Sequence, residues 1–463
     1  MRPGEDAVDG LADRLRSVFR SGRTRPLRWR REQLAALANL LRREEAALSD
    51  AMAEDMGKPR VESWLTDVAA VRRDIEGIET NLRRWAAARA VDIPWTLQPG
   101  RAELVPEPLG AALIIGPWNY PVRCLVLPLA FALAAGDVAA AKPSELAPST
   151  SALLSRLVRR DLDAEAVSVV EGGPEVGRQL LAQRWDHIFF TGGAAVGRAV
   201  MAAAAAHLTP VTLELGGKNP AIVTANANLS KAARRIAWGK FLNAGQTCVA
   251  PDFVLVEKSV EGPLMAALAK QVAKWAGKGP GPSPDLSRIV NQAHFDRLTG
   301  LLAATAGEVV SGGDARPAER YLGPTLVGGV GWDDPLMQDE IFGPVLPVVS
   351  YAGLEEALDE LAARDKPLAV YVYTRSHKEA DRVIARTASG SVCVNHNAVQ
   401  LGVPGLPFGG VGASGMGAYH GQAGFAAFSH YKAVLRKPAG AEVPLVYPPY
   451  TKAKEWVLRQ ALR

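Results

Sequence analysis

The sequence predicts an α/β protein built on parallel sheets, and three observations carry that reading. Short continuous apolar runs at 111–115, 138–141, 167–170 and 188–190 alternate with stretches of helical length. This is the pattern of strands buried on both faces and joined by helical crossovers. Each run ends in a turn rich in Gly, Pro, Asn or Ser, and in doubly wound sheets such carboxyl-end turns receive ligands. Further runs at 253–257, 345–349 and 370–373 predict a second α/β unit between Asp252 and Gly390. At 463 residues the chain has room for two domains or one large assembly.

Composition sets the outer limits. An apolar share of 48% and a charged share of 22% are ordinary for a soluble globular chain. The net charge of +5 comes from 53 basic and 48 acidic residues spread along the sequence without a long basic run. That reads as a solvated surface, and no nucleic-acid partner is expected. Cys124, Cys248 and Cys393 are odd in number, far apart and without metal-ligand spacing. They point to free thiols in a reducing, cytoplasmic setting, with neither a disulfide scaffold nor a metal site. The N-terminus shows no apolar core of a secretory signal. The most hydrophobic stretch, 109–135, is interrupted by Asn119, Arg123, Pro117, Pro121 and Pro128. It fits a broken, buried core segment and not a membrane span.

In chain order, residues 8–89 are helical in pattern, with Leu34, Leu37, Leu40, Leu41 and Leu48 recurring at three- and four-residue spacing. Gly57-Lys-Pro59 divides this region into two helices, the second over 62–89. Residues 92–108 read as an extended, Pro-punctuated arm with no apolar face of its own to pack within the subunit. The tail at 425–436 is β-like and is expected to pair with such an arm on a second subunit. Residues 277–284 form a Gly/Pro-rich loop, and the alanine run at 202–206 is helix interior.

Three of the carboxyl-end turns carry chemistry. In Gly116-Pro-Trp-Asn-Tyr-Pro121, Asn119 offers a side-chain amide on a tight loop and Trp118 a flat apolar surface. An Asn that merely satisfies its own turn is an equal alternative. In Lys142-Pro-Ser-Glu145, Lys142 and Glu145 can both reach a ribose, or can form a surface ion pair. The turn holding Thr191, Gly192, Gly193, Val196 and Gly197 leads from a strand into a helix at 198–207, so backbone donors face an anion. Its spacing is not that of the GxGxxG fingerprint, and by itself it is a weak signal. Beyond a strand at 211–215, Glu214 and Leu215 precede Gly216-Gly217. A desolvated carboxyl there suits a general base, with a structural salt bridge as the competing reading. Cys248 sits in Phe241-Leu-Asn-Ala-Gly-Gln-Thr-Cys248-Val-Ala-Pro251, between an amphipathic segment at 232–241 and the run at 252–257. A loop thiol beside backbone N–H donors is where a reactive cysteine belongs, although a lone intracellular cysteine is more often a small hydrophobe.

Cys248 together with Glu214-Leu-Gly-Gly-Lys-Asn-Pro220, Glu340-Ile-Phe-Gly-Pro344 and Leu406-Pro-Phe-Gly-Gly-Val-Gly412 resembles the signature of the NAD(P)-dependent aldehyde dehydrogenases. The segments Ser21-Gly-Arg-Thr-Arg-Pro26, Arg235-Ile-Ala-Trp-Gly-Lys240 and Gly415-Met-Gly-Ala-Tyr-His420 look like the class 3 branch, and the likeness spans about 18–447. It implies a Rossmann-like cofactor domain at 1–89 and 106–213, and an α/β catalytic domain at 214–424. A small β oligomerisation arm would comprise 90–105 and 425–440. It also implies that Cys248 attacks an aldehyde, that Asn119 holds the oxyanion, and that Glu214 activates water against the thioester. NAD or NADP would rest on Trp118, Lys142, Glu145, the 191–197 turn, Leu215, Glu340 and Phe342, with Tyr120 and Trp238 beside a substrate tunnel. Gly193 stands where the family usually has Ser, so the phosphate contact there is expected from backbone N–H. The implied substrates are medium- or long-chain aliphatic, or aromatic, aldehydes. A chain this short, lacking the N-terminal extension of tetrameric members, is expected to form a dimer. A thiol hydrolase without redox chemistry needs no nicotinamide site. A coenzyme-A-acylating enzyme, the other alternative, generally lacks the general-base Glu.

Overall fold

The computed structural model describes residues 8–277, 281–440 and 444–462. Its strands, in chain order, begin with β1 (Arg89–Val91), β2 (Arg101–Pro108), β3 (Ala111–Ile115), β4 (Val138–Lys142), β5 (Val167–Val169) and β6 (His187–Thr191). There follow β7 (Val211–Glu214), β8 (Pro220–Val223), β9 (Phe253–Glu257), β10 (Glu308–Ser311), β11 (Ala315–Arg316) and β12 (Tyr321–Leu322). The last are β13 (Thr325–Gly328), β14 (Val345–Tyr351), β15 (Ala369–Tyr373), β16 (Ser391–Val394), β17 (Gly415–Met416) and β18 (Ser429–Arg436).

Two large sheets organise these strands. The first runs β17-β7-β6-β3-β4-β5, parallel except for β17. The second runs β10-β13-β14-β9-β8-β15-β16, parallel except for β10. Strands such as β4 and β15 are buried at every residue, which is why they read as unbroken apolar runs and not as alternating ones. Each sheet has its own apolar core. The helix Arg123–Ala135 is buried at every position after Arg123, because it packs between the first sheet and the N-terminal helices. It is therefore apolar all round.

The four strands foreseen at 111–190 appear within a residue or two of expectation. The N-terminal region differs more. It contains helices at Leu11–Arg20, Leu27–Arg43, Glu45–Met56 and Ala69–Trp85, and a π-helical turn at Trp64–Val68. The break at Pro26 and the local turn at Glu44 divide the helices where only Gly57–Pro59 had signalled a division. The second helix stops at Trp85, and Arg89–Val91 already belongs to the arm. The tail is not β throughout: Gly421–Ala427 is a helix, and the strand begins at Ser429. Within this chain, β18 pairs with β2 along eight residues, giving the sheet β1-β2-β18. The expectation that β2 finds this partner on another subunit is thus corrected: the tail returns close enough to pair within its own chain. Of the loop read at 277–284, residues 278–280 lie outside the described residues.

Candidate active site

A cleft of about 1020 Å³ opens between the two large sheets. From the first sheet, the turns after β3, β6 and β7 bring Trp118, Asn119, Thr191, Gly192, Gly193, Glu214 and Leu215 to its wall. Cys248, Glu340 and Phe342 line the opposite side. Carboxyl ends of parallel strands thus converge on one site, as a doubly wound sheet requires.

Cys248 is half-buried, at the end of an irregular turn. The turn is possible because Asn243 and Ala244 adopt left-handed backbone (φ 51° and 52°), followed by Gly245 at φ 73°. Gly245 must be glycine on a second count: an added Cβ would lie 2.2 Å from the carbonyl oxygen of Gly343. The thiol loop and the loop carrying Glu340 and Phe342 are therefore in backbone contact. Asn219 fixes the other flank, donating from Nδ2 to the carbonyls of Cys248 (2.7 Å) and Ala250 (3.0 Å) and accepting from Ala369 N–H (2.8 Å). Tyr371 donates its hydroxyl to Val249 O at 2.5 Å. Burial pushes the Cys248 thiol well up, nearby Cys124, Glu340 and Glu214 add to this, and the residue's own backbone N–H pulls it back.

Asn119 is buried, and its amide donates to Gln246 O at 3.0 Å. Asn243 Nδ2 in turn donates to Asn119 O at 2.9 Å. Gln246 is itself held, donating to Asn243 O and Arg288 O and accepting from Val290 N–H. Asn219, Asn243 and Gln246 had not been singled out from the sequence. Their signal was position alone, since each lies within a segment already quoted.

Glu214 closes β7 and is 2% exposed, and among the described residues neither carboxyl oxygen has a hydrogen-bond partner. Burial alone drives its pKa well above the ordinary carboxylate range. Among the described residues no cation pairs with it, which counts against the salt-bridge alternative. Glu340 is pressed against the Gly216–Gly217 backbone, where an added Cβ at Gly216 would collide with its carboxylate. Burial raises it to about 8, with Asp252 adding and the Gly217 N–H opposing. Trp118 meets Phe342 edge-on and also contacts His294, each at 5.5 Å between ring centroids. His294 and Arg297 line the cleft as well and carried no motif.

The helix Ala194–Ala205 begins at Gly193, which supplies no capping side chain. Its first residues, Ala194 and Ala195, line the cleft, and a helix N-terminus so placed can hold phosphate. Among the described residues Thr191 Oγ1 is buried there without a partner, a donor the fold has left for a ligand. The residues present therefore fit a dinucleotide. Lys142 and Glu145 stand apart from the cleft wall, at the end of β4 beside Gly177, and pair with each other at 3.2 Å. Val196 is exposed and Gly197 buried, both on the helix and off the wall. Tyr120 is buried behind the thiol turn, with its hydroxyl 2.7 Å from Thr247 Oγ1. Trp238 packs edge-on against His396 at 5.7 Å. Among the described residues no cluster could hold a metal ion.

A partly buried thiol, a buried carboxyl and a side-chain amide thus share one cleft with a helix N-terminus suited to a dinucleotide phosphate, the arrangement of an NAD(P)-dependent oxidoreductase. The chain belongs to the aldehyde dehydrogenase family, which it matches over residues 2–434. It is 43% identical to aldehyde dehydrogenase family 3 member B1 of Rattus norvegicus, over 99% of this chain and 98% of that one. Among solved structures, the substrate-bound state of Staphylococcus aureus AldH superposes with a TM-score of 0.94 at 40% identity, covering 97% of this chain and 98% of the other. An indole-3-acetaldehyde dehydrogenase complexed with NAD+ gives 0.85 at 27%, over 94% and 90%. The protein is an NAD(P)-dependent aldehyde dehydrogenase, oxidising aldehydes to acids.

Proposed function

We propose that Cys248 is the nucleophile, Asn119 the oxyanion donor and Glu214 the base. The observation that carries this assignment is Glu214 itself, buried in the cleft it shares with Cys248 and Asn119, with both oxygens free. The Cys248 sulfur, once deprotonated, adds to the aldehyde carbon while the carbonyl electron pair moves to oxygen. That oxygen is held by the Asn119 amide, swung from Gln246 O, and by the Cys248 N–H. When bound, NAD(P) supplies the acceptor for the hydride that leaves as the adduct collapses to a thioester. Glu214 then takes a proton from water as the water adds to that thioester, and the thiolate leaves to give the carboxylate. Thiol and carboxyl are both raised by burial, so the site is set to run faster as pH rises.

The substrate class we infer is medium- to long-chain aliphatic, or aromatic, aldehydes. Exposed Trp64 and Leu65 on the π-helical turn, and exposed Val399 and Val403 on the segment after His396, support an apolar approach surface. Gly402 of that segment lies against Arg73, on the helix that continues the π-helical turn. We also place the protein in the cytoplasm, because all three cysteines are free, and read it as a dimer. Two sheet edges support the dimer, β16 in the second sheet and β18 in the arm, since open edges invite pairing between copies. Among the described residues no helix is long and apolar enough to cross a membrane.

The test is a panel of aldehydes of increasing chain length, assayed by reduced-cofactor absorbance with NAD and with NADP, the acid product being identified. Rising kcat/KM from short to long chains is expected, and a maximum at the shortest member would refute the substrate class. Light scattering giving the mass of one subunit at micromolar concentration would refute the dimer.

A further inference from the structure

Behind the Asn119 loop lies a buried charge pair that the chemistry above does not use. Lys58 and Asp67 are both fully buried, with Nζ 2.7 Å from Oδ2. Burying two ions costs several kcal/mol each before their attraction repays it, and well-packed apolar side chains often do as well or better for stability. A purely architectural role therefore explains the pair poorly, whereas its contacts are specific. Lys58 Nζ points to Asn119 O at 3.4 Å and sits 3.9 Å above the centre of the Tyr120 ring. Asp67 takes the Arg123 N–H on its other oxygen at 3.1 Å, at the first residue of the following helix. The same helical segment holds Arg123 again through Asp74, at 3.2 Å. Residues 58–74 thus grip residues 119–123 at both ends.

We propose that Lys58 and Asp67 are positioning residues for the oxyanion donor, clamping the Asn119–Arg123 loop so that the Asn119 amide stays within reach of the thiol adduct. Asn119 must exchange its Gln246 partner for the developing oxyanion, and only its side chain should move in doing so. On its other side the loop meets the second domain through amide contacts and the Tyr120 hydroxyl to the thiol turn, and through Trp118 against Phe342 and His294. A fixed main chain turns that exchange into a rotation and not a loop rearrangement. Misplacing a reacting or stabilising group by about 1 Å costs on the order of a hundredfold in rate. The inference rests on the assignment of Asn119, which the experiment checks separately.

The test uses the full-length enzyme and the double variant K58M/D67N, which removes both charges together and keeps an acceptor for the Arg123 N–H. We expect kcat/KM for a fixed aldehyde to fall roughly ten- to a hundredfold, with the NADH dissociation constant within about twofold of wild type. The thermal midpoint should be unchanged or higher, because the two charges go together and the neighbouring buried Glu62, already raised to about 7 by burial, loses an attractive and a repulsive neighbour at once. D67E retains the pair and should restore at least half of the wild-type value. N119A gives the reference loss. In an N119A background K58M/D67N should add less than about twofold, because groups acting through one another are not additive. A K58M/D67N enzyme with wild-type kcat/KM overturns the clamp, as does a full further loss in the N119A background. A fully active N119A overturns the Asn119 assignment instead. Should K58M/D67N fail to fold, K58Q/D67N keeps a donor toward Asn119 O. It is expected at three- to tenfold below wild type, and wild-type turnover from it refutes the clamp equally.

Discussion

Replacing Glu214 by glutamine separates what the residue does for turnover from what it costs the fold. Loss of a general base lowers the step it serves by roughly 10²–10⁴-fold, about 3–5 kcal/mol of barrier. Because Glu214 acts after hydride departure, E214Q should still reduce about one cofactor per site in a rapid burst and then stall as the acyl-enzyme. Stability should move the other way. The carboxyl is raised by burial and has no compensating partner, so the folded state keeps a proton that the unfolded chain has released. The stabilising difference is complete below the ordinary value of 4.5 and is lost as pH rises through the folded value, at about 1.4 kcal/mol per pH unit. For a 463-residue chain this is about 1 °C of midpoint per kcal/mol. E214Q should therefore melt with wild type near pH 4.5 and above it at pH 8. Stopped-flow absorbance and calorimetry at the two pH values measure both effects. Steady turnover in E214Q without a burst, or a variant less stable than wild type at pH 8, would refute the reasoning.

C248A should abolish oxidation and leave NADH binding within about twofold, whereas C124A should be nearly silent. Cys124 also borders the cleft but is buried within the helix Arg123–Ala135, whereas Cys248 is partly exposed, so equal losses from the two variants would undo the nucleophile assignment. E145Q should raise the NADP-to-NAD ratio of kcat/KM, because it removes a carboxylate from the end of β4; an unchanged ratio would show that Glu145 does not meet the ribose. G193S should tighten NADH binding by about two- to tenfold, the worth of one hydrogen bond. Space is open around Gly193, at a φ of −74° that any residue accepts, and weaker binding by fluorescence titration would contradict the phosphate contact.

What could be read from the chain beforehand followed the physics of burial. Strands such as β4 and β15, buried on both faces, announce themselves as apolar runs. Glycine turns mark where backbone must approach backbone, whereas Cys248, Glu214 and Asn119, each open to a structural reading on its own, stood out through the resemblance of the surrounding motifs to a known family. The remainder depended on contacts distant in sequence. Nothing near Lys58 indicates that it meets Asp67 beneath Tyr120, and Gln246 gives no local sign of linking Asn119 to Arg288. The arm was misjudged because extended residues without an apolar face show that a partner strand is needed but not on which chain it lies. The extra helix breaks at Pro26 and Glu44 were missed because helical periodicity continues across them.

Glu214 is the last residue of β7, and only Leu215 to Asn219 separate it from β8 in the other sheet. β17, arriving from the far end of the chain, is zipped to β7 at Glu214 itself. The carboxyl proposed as the base thus stands at the end of β7 in the first sheet, on the seam where the chain crosses to the independently cored second half. Chimaeras assembled from two relatives would have to inherit 211–219 and 415–416 from one parent, because a crossover between them would recombine the seam. Lys142 at the end of β4 and Glu145 three residues beyond it lie off this seam and could be exchanged without disturbing it.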